Sequence, residues 1–274
     1  MEMGISTASF YPTLLEDALE QLVTRQVPVA ELFLNTFSEL NPPLRQTVRA
    51  WLDCGSTRAI SVHPFTSVLE SSLFFTSYSR RFEDGVELYR RYFDYAAQMG
   101  AKILVFHGNH RNTSRPPQRY YERFARLRQA AKETGIILAQ ENVFAHCSQD
   151  LPFLVEMRRY LHDEVEFVLD NKQALRGGQD PMEMAKALGD RVVHLHLSDS
   201  VPGKDCLPPG EGSFDFHQYF SILKEKGYSG DGVIELYHNS YESYQQIFAS
   251  REYLQKKADQ VFLKKNKQIK EKLL

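Results

Sequence analysis

Six side chains of metal-ligating type stand at the ends of six apolar runs: His63, His107, Glu141, Asp170, His196 and Glu235. Carboxylate oxygens and imidazole nitrogens of this kind hold divalent cations, and three histidines in the set favour Zn²⁺ or Mn²⁺ over Mg²⁺. Glu141 follows the run Ile136, Ile137, Leu138, Ala139 and Gln140, and Glu235 follows Val233 and Ile234. An unpaired carboxylate at the end of a buried strand is costly unless it takes up a proton. A shared cation solves that problem for both acids at once. With one oxygen on the cation, the other is free to take or return a proton, so Glu141 and Glu235 are the expected catalytic pair.

Each residue alone has a plainer use. In the run HLHL, alternation puts His194 and His196 on one face of a strand, with His196 nearer its end. His196 is therefore the expected ligand, and His194 supports it from below or simply packs. Asp170 suits a cap on the turn through Asn171. His63, just before Pro64, suits a hydrogen-bonded core position.

The elements that must position these groups follow from the apolar rhythm. Runs at 3–10, 29–34, 58–65, 101–108, 135–143, 165–171, 191–199 and 232–237 make eight strands. They are apolar throughout rather than alternating, as in a parallel sheet covered by helices on its faces. Helical patterns lie between them. Leu15, Leu19, Leu22 and Val23 form a stripe opened by Thr13, and a long segment closes at Gly100. Prolines precede and Gly135 ends the helix after strand four, and Asp180, Pro181 and Gly189 punctuate a shorter one.

Eight strand–helix units in 274 residues match an α/β fold of the (β/α)₈ TIM-barrel type, a single domain over residues 1–255 with a lysine-rich helical tail at 256–274. A doubly wound sheet is the competitor, but no glycine-rich phosphate loop follows the first run. In a barrel the strand ends carrying the six residues share one rim. Residues 66–85 lengthen the third connection, where Leu73, Phe74, Phe75 and Tyr78 either wall a substrate pocket or form an extra short helix.

Composition narrows the class. The chain is 42% hydrophobic and 25% charged with a net charge of −2, which gives no electrostatic reason to bind nucleic acid. Three cysteines without CxxC spacing read as a reduced, cytoplasmic protein. No apolar run reaches the roughly 20 residues that span a bilayer, and the first residues lack signal-peptide features. The tail carries seven lysines against two acids and reads as a solvated terminal helix. The external helices leave room for a homo-oligomer.

The motifs QENV, VLDN, HLHLSDS with the following PPGEGSFDF, and VIELY resemble those of the xylose isomerase-like TIM-barrel superfamily, and the resemblance runs from STASF to VIELY. That superfamily includes sugar isomerases and epimerases, inosose dehydratases and the apurinic endonuclease family 2. The resemblance implies that Glu141, Asp170, His196 and Glu235 bind one divalent ion, with His63 and His107 matching a second site of the endonuclease branch. Gln173 stands where the family commonly has a histidine, and the loop VPGKDCLPPGEG offers Asp205 and Cys206 but no histidine for a third ion. The implied activity is metal-dependent isomerisation or epimerisation of a small carbohydrate, a sugar or sugar phosphate, by proton transfer through a cis-enediolate. Gln173, Lys204 and Phe75 are expected to touch the substrate. A phosphoester hydrolase and an inosose-type dehydratase are the alternatives.

Overall fold

The structure is a computed structural model and describes residues 1–111 and 116–263. Its strands are β1 (Met3–Ser6), β2 (Val29–Leu34), β3 (Arg58–Pro64), β4 (Ile103–Phe106), β5 (Ile137–Glu141), β6 (Glu166–Asp170), β7 (Val192–Leu197), β8 (Asp199–Val201), β9 (Lys204–Leu207) and β10 (Gly232–Ile234). Eight of them close a parallel barrel in the order β1-β10-β7-β6-β5-β4-β3-β2, while β8 and β9 form a separate antiparallel hairpin. The helices are α1 (Leu15–Thr24), α2 (Pro42–Cys54), α3 (Ser67–Phe74), α4 (Ser79–Met99), α5 (Pro117–Lys132), α6 (Leu151–Tyr160), α7 (Asn171–Arg176), α8 (Pro181–Leu188), α9 (Phe216–Glu225) and α10 (Tyr244–Phe262).

The continuous apolar strands are buried on both faces, as a helix-covered barrel requires. Most of the core lies between sheet and helices; a smaller cluster of Ile103, Val105, Ala139 and Val168 fills part of the barrel interior. The punctuation read from the sequence has physical counterparts. Gly100 closes α4 in the left-handed conformation at φ 81°, and the Asp180 side chain caps α8 by accepting from Met182 N.

Residues 67–74 form the extra helix, α3, one of the two alternatives the sequence left open. Two features differ from the sequence reading. Thr13 does not cap α1, whose N-cap position is Leu14; its hydroxyl is instead bonded to Tyr244 Oη at 2.8 Å. The loop after β7 contains the unforeseen hairpin, whose alternation is too short to mark it as strand. Residues 264–274, most of the lysine-rich tail, lie outside the described residues. Among the described residues, no helix is long and apolar enough to cross a membrane.

Candidate metal centre

Glu141 and Asp170 are the last residues of β5 and β6, His196 is the fifth of β7, and Glu235 follows β10 directly. One ligand atom from each lies within 4.8 Å of all the others. His196 Nδ1 is 3.2 Å from Glu141 Oε1 and 3.7 Å from Glu235 Oε2. Its other nitrogen, Nε2, lies 3.0 Å from Glu31 Oε2 on β2. The Nε2–H donates to Glu31, which leaves Nδ1 as the nitrogen that faces the quartet, where a metal would take the place of its proton, the arrangement that orients a metal-ligating histidine. Asp170 divides its two oxygens: Oδ1 accepts from Gln173 N at 3.0 Å and caps α7, and Oδ2 lies 3.3 Å from the Lys172 ammonium.

Three buried amides fix the strand ends against one another. Gln140 Nε2 donates to His107 O at 2.9 Å, joining β4 to β5. Asn142 donates to Asp170 O at 2.9 Å and accepts from Asp170 N at 2.8 Å, joining β5 to β6. Asn171 does the same for β6 and β7 through Ser198 O and Ser198 N, at 2.7 and 3.0 Å. Each side chain replaces a ladder contact where the strands splay, so the spacing of the quartet is held by hydrogen bonds rather than by packing alone.

A second donor cluster shares Glu141. His63 Nδ1 is 3.2 Å from Pro64 O and donates to it, which turns the Nε2 lone pair inward. His63 Nε2 and His107 Nε2 are 2.9 Å apart, and His107 Nε2 is 2.8 Å from Glu141 Oε2. Converging imidazole nitrogens and a carboxylate have too few protons to satisfy one another. The buried oxygens Glu141 Oε2 and Asp170 Oδ2 make no well-formed hydrogen bond. Burial alone raises a carboxyl pKa; at Glu141, His107 and His196 outweigh it and hold the group well below the usual range. At Asp170, burial prevails and pushes the carboxyl up to about 6. Carboxylate oxygens and imidazole nitrogens from the ends of four strands, converging within 4.8 Å, fit a divalent ion.

Two residues of the centre were not singled out from the sequence. Glu31 is wholly buried and its Oε2 also accepts from Ser61 Oγ at 2.8 Å and His194 Nε2 at 3.1 Å, so His194 sits one layer beneath His196. Lys172 on α7 places its ammonium beside Asp170 and Glu235. The signal for Glu31 was a lone acid within the apolar run VAELFL; Lys172 had none, standing between Asn171 and Gln173.

Beside Glu235 opens a cavity of about 290 Å³ walled by Tyr11, Phe33, Asn35, Tyr237 and His238. Phe33 stacks on His63 with centroids 4.7 Å apart. The three expected substrate contacts lie elsewhere. Gln173 Oε1 accepts from Phe144 N at 3.1 Å. Phe75 stacks on Tyr120 and lines a separate cavity of about 180 Å³. Lys204 is exposed on β9 and lines an open groove of about 760 Å³ with Arg176 and Asp205. That groove is larger but contains none of the quartet.

The sequence profile of the xylose isomerase-like TIM barrel matches residues 29–259. The chain belongs to this family. Among solved structures, a D-tagatose 3-epimerase-like protein superposes with a TM-score of 0.80 at 20% identity, covering 96% of this chain and 99% of that one. The IolI protein with a bound zinc atom superposes with a TM-score of 0.71 at 16% identity, covering 96% and 97%. The L-ribulose-5-phosphate 3-epimerase UlaE of Escherichia coli is 23% identical over 166 residues, 58% of each chain.

In this xylose isomerase-like barrel the extra helix α3 braces the rim at His107. Glu70 of α3 is buried, accepts from Gly108 N, and is hydrogen-bonded to Tyr89 Oη. Gly108 has φ 90°, and a Cβ there would overlap the Tyr120 hydroxyl, so glycine is required. Burial pushes the Glu70 carboxyl up to about 8, leaving it neutral at pH 7. Between the unfolded value near 4.5 and the folded value, only the folded state keeps the proton, so stability falls as pH rises and levels off above pH 8. Glu70→Gln, which mimics the neutral acid, is expected to remove a slope of up to about 1.4 kcal/mol per pH unit. Urea unfolding of both proteins from pH 5.5 to 8.5 checks this; parallel curves would mean that Glu70 is already ionised.

Proposed function

We propose that the chain is a divalent-metal-dependent isomerase or epimerase of a small sugar or sugar phosphate. The observation that carries this reading is the quartet Glu141, Asp170, His196 and Glu235, gathered within 4.8 Å beside an aromatic-walled cavity that Glu235 lines. The named relatives include sugar epimerases, and one neighbour's structure holds zinc.

The quartet would hold the ion, and His63 and His107 with Glu141 would hold a second, with Zn²⁺ or Mn²⁺ suited to the donors. A bound divalent ion supplies Lewis acidity for the negative charge that develops when a carbon beside a carbonyl loses its proton. The chain's own groups do the rest. Glu141 and Glu235 follow strands separated around the barrel by β6 and β7, so they approach a substrate from different sides. Burial opposes ionisation of Glu235, but Lys172 and His196 overcome it, so both carboxylates are ionised at neutral pH and either can accept a proton. One carboxylate removes the proton. Isomerisation follows when that same group returns it to the neighbouring carbon, and epimerisation when the opposite group, having taken a proton from water, delivers it to the other face. Phe33 and Tyr237 offer flat apolar faces to the C–H side of a sugar ring or chain. The cavity lies at the small end of the usual ligand-pocket range.

The cluster of His63, His107 and Glu141 favours a second reading, a phosphoester hydrolase in which two ions activate water. One experiment separates the two. Protein loaded with Mn²⁺ or Zn²⁺ and given ketopentoses, ketohexoses and their phosphates in D₂O is expected to place deuterium beside the carbonyl. Chelation should abolish the exchange. Release of inorganic phosphate without any exchange would replace the isomerase reading by the hydrolase.

A further inference from the structure

Lys172 is 2% exposed, although a lysine keeps its ammonium in water wherever the fold allows. Its Nζ stands 3.0 Å from Glu235 Oε2 and 3.3 Å from Asp170 Oδ2, and 4.8 Å from the centre of the Tyr237 ring. Both carboxylates belong to the quartet, and Asp170 Oδ2 is one of the oxygens without a well-formed hydrogen bond. The placement follows from α7, which starts directly after its cap Asp170. Helical side chains lean toward the helix N-terminus, so a residue in the first turn is directed back over the rim that Asp170 occupies.

Charge gives this position a meaning. The quartet contributes three carboxylates, and a divalent ion balances two of them. Lys172 balances the third, so the quartet with one ion and Lys172 sums to zero charge, and without the ion one of the quartet's three negative charges is still compensated. The same ammonium faces two of the oxygens that the ion must take, and like charges on shared ligands repel. We propose that Lys172 is a resident cation of the centre that competes with the divalent ion for Asp170 and Glu235, weakening its binding and keeping the ion-free centre folded.

The inference rests on the metal-binding part of the proposed function and not on the sugar chemistry. It has two consequences of opposite sign. Removing the charge tightens ion binding and loosens the ion-free protein. A lysine that merely packs gives only the second effect, and one that supports the ligands gives weaker binding.

The test uses Lys172→Met and Lys172→Gln in the full chain, stripped with chelator and titrated with Mn²⁺ by calorimetry, with thermal unfolding followed in parallel. Both variants are expected to bind Mn²⁺ at least about tenfold more tightly than the unaltered protein. Without the ion they should melt lower, and saturating Mn²⁺ should raise their Tm by more. Equal or weaker Mn²⁺ affinity in folded variants overturns the proposal and leaves the metal centre standing. Failure of the unaltered protein to bind Mn²⁺ or Zn²⁺ removes the metal reading, and this inference with it. Variants that fold only when Mn²⁺ is supplied support the proposal; variants that stay unfolded with Mn²⁺ present make Lys172 a structural residue and overturn it.

Discussion

Glu141→Gln is expected to empty the centre and to lower turnover by about 10³-fold or more. Glu141 is the one residue common to the quartet and to the cluster of His63 and His107. Its Oε1 lies 3.2 Å from His196 Nδ1 and its Oε2 lies 2.8 Å from His107 Nε2. An amide keeps the shape but loses the charge, and it puts an NH₂ group against a nitrogen or an oxygen that the carboxylate could bridge. Both donor clusters then lose their common ligand, and the proposed proton acceptor goes with it. Metal content by mass spectrometry and deuterium exchange at saturating Mn²⁺ read the two losses separately. A variant that keeps one ion per chain and more than about a tenth of the exchange rate would strip Glu141 of both roles.

Why some of this was legible and some was not comes down to reach along the chain. The strand ends of a closed barrel meet at one rim whatever residues they carry, so the six ligand-type residues could be gathered from the rhythm of apolar runs alone. Their detailed pairing could not. Glu31 lies 163 and 165 residues from its histidine partners, and nothing local to VAELFL says that an acid there has donors waiting across the barrel. Lys172 carries no signal in the sequence, and its place emerges only once α7 is seen to start at the rim.

Aromatic-rich stretches were ambiguous for a different reason. Residues 66–85 had enough apolar side chains either to wall a pocket or to pack, and packing won: Phe74 is buried among Phe82, Tyr89 and Phe106, and Phe75 turns to Tyr120. The aromatic walls beside Glu235 come instead from Tyr11, Phe33 and Tyr237, three positions far apart in sequence. Tyr11 and Tyr237 fall in loops, and Phe33 falls near the end of a strand otherwise read as core.

Glu31→Ala is expected to destabilise the ion-free protein by about 3–5 kcal/mol, far more than loss of a surface ion pair. The carboxylate is wholly buried, and one of its oxygens accepts from Ser61, His194 and His196. Its removal leaves those three donors facing a cavity inside the barrel. Burial alone would raise the Glu31 pKa, but His196 and His194 prevail and hold it well below the usual range. A folded pKa below the unfolded value near 4.5 gives stability that is complete above that pH and lost as pH falls toward the folded value. The unfolding curves of the two proteins should therefore differ fully at pH 7 and converge under acid, which urea titrations at pH 7, 4 and 3 would show. A difference under about 1 kcal/mol at pH 7 would mean that Glu31 is not a buried ion. Glu31→Gln separates orientation from stability: with the charge gone but the shape kept, His196 loses the partner that fixes its tautomer, and Mn²⁺ affinity should fall about 10–100-fold. Unchanged affinity in that variant would leave the quartet to orient itself, and Glu31 would then serve the fold alone.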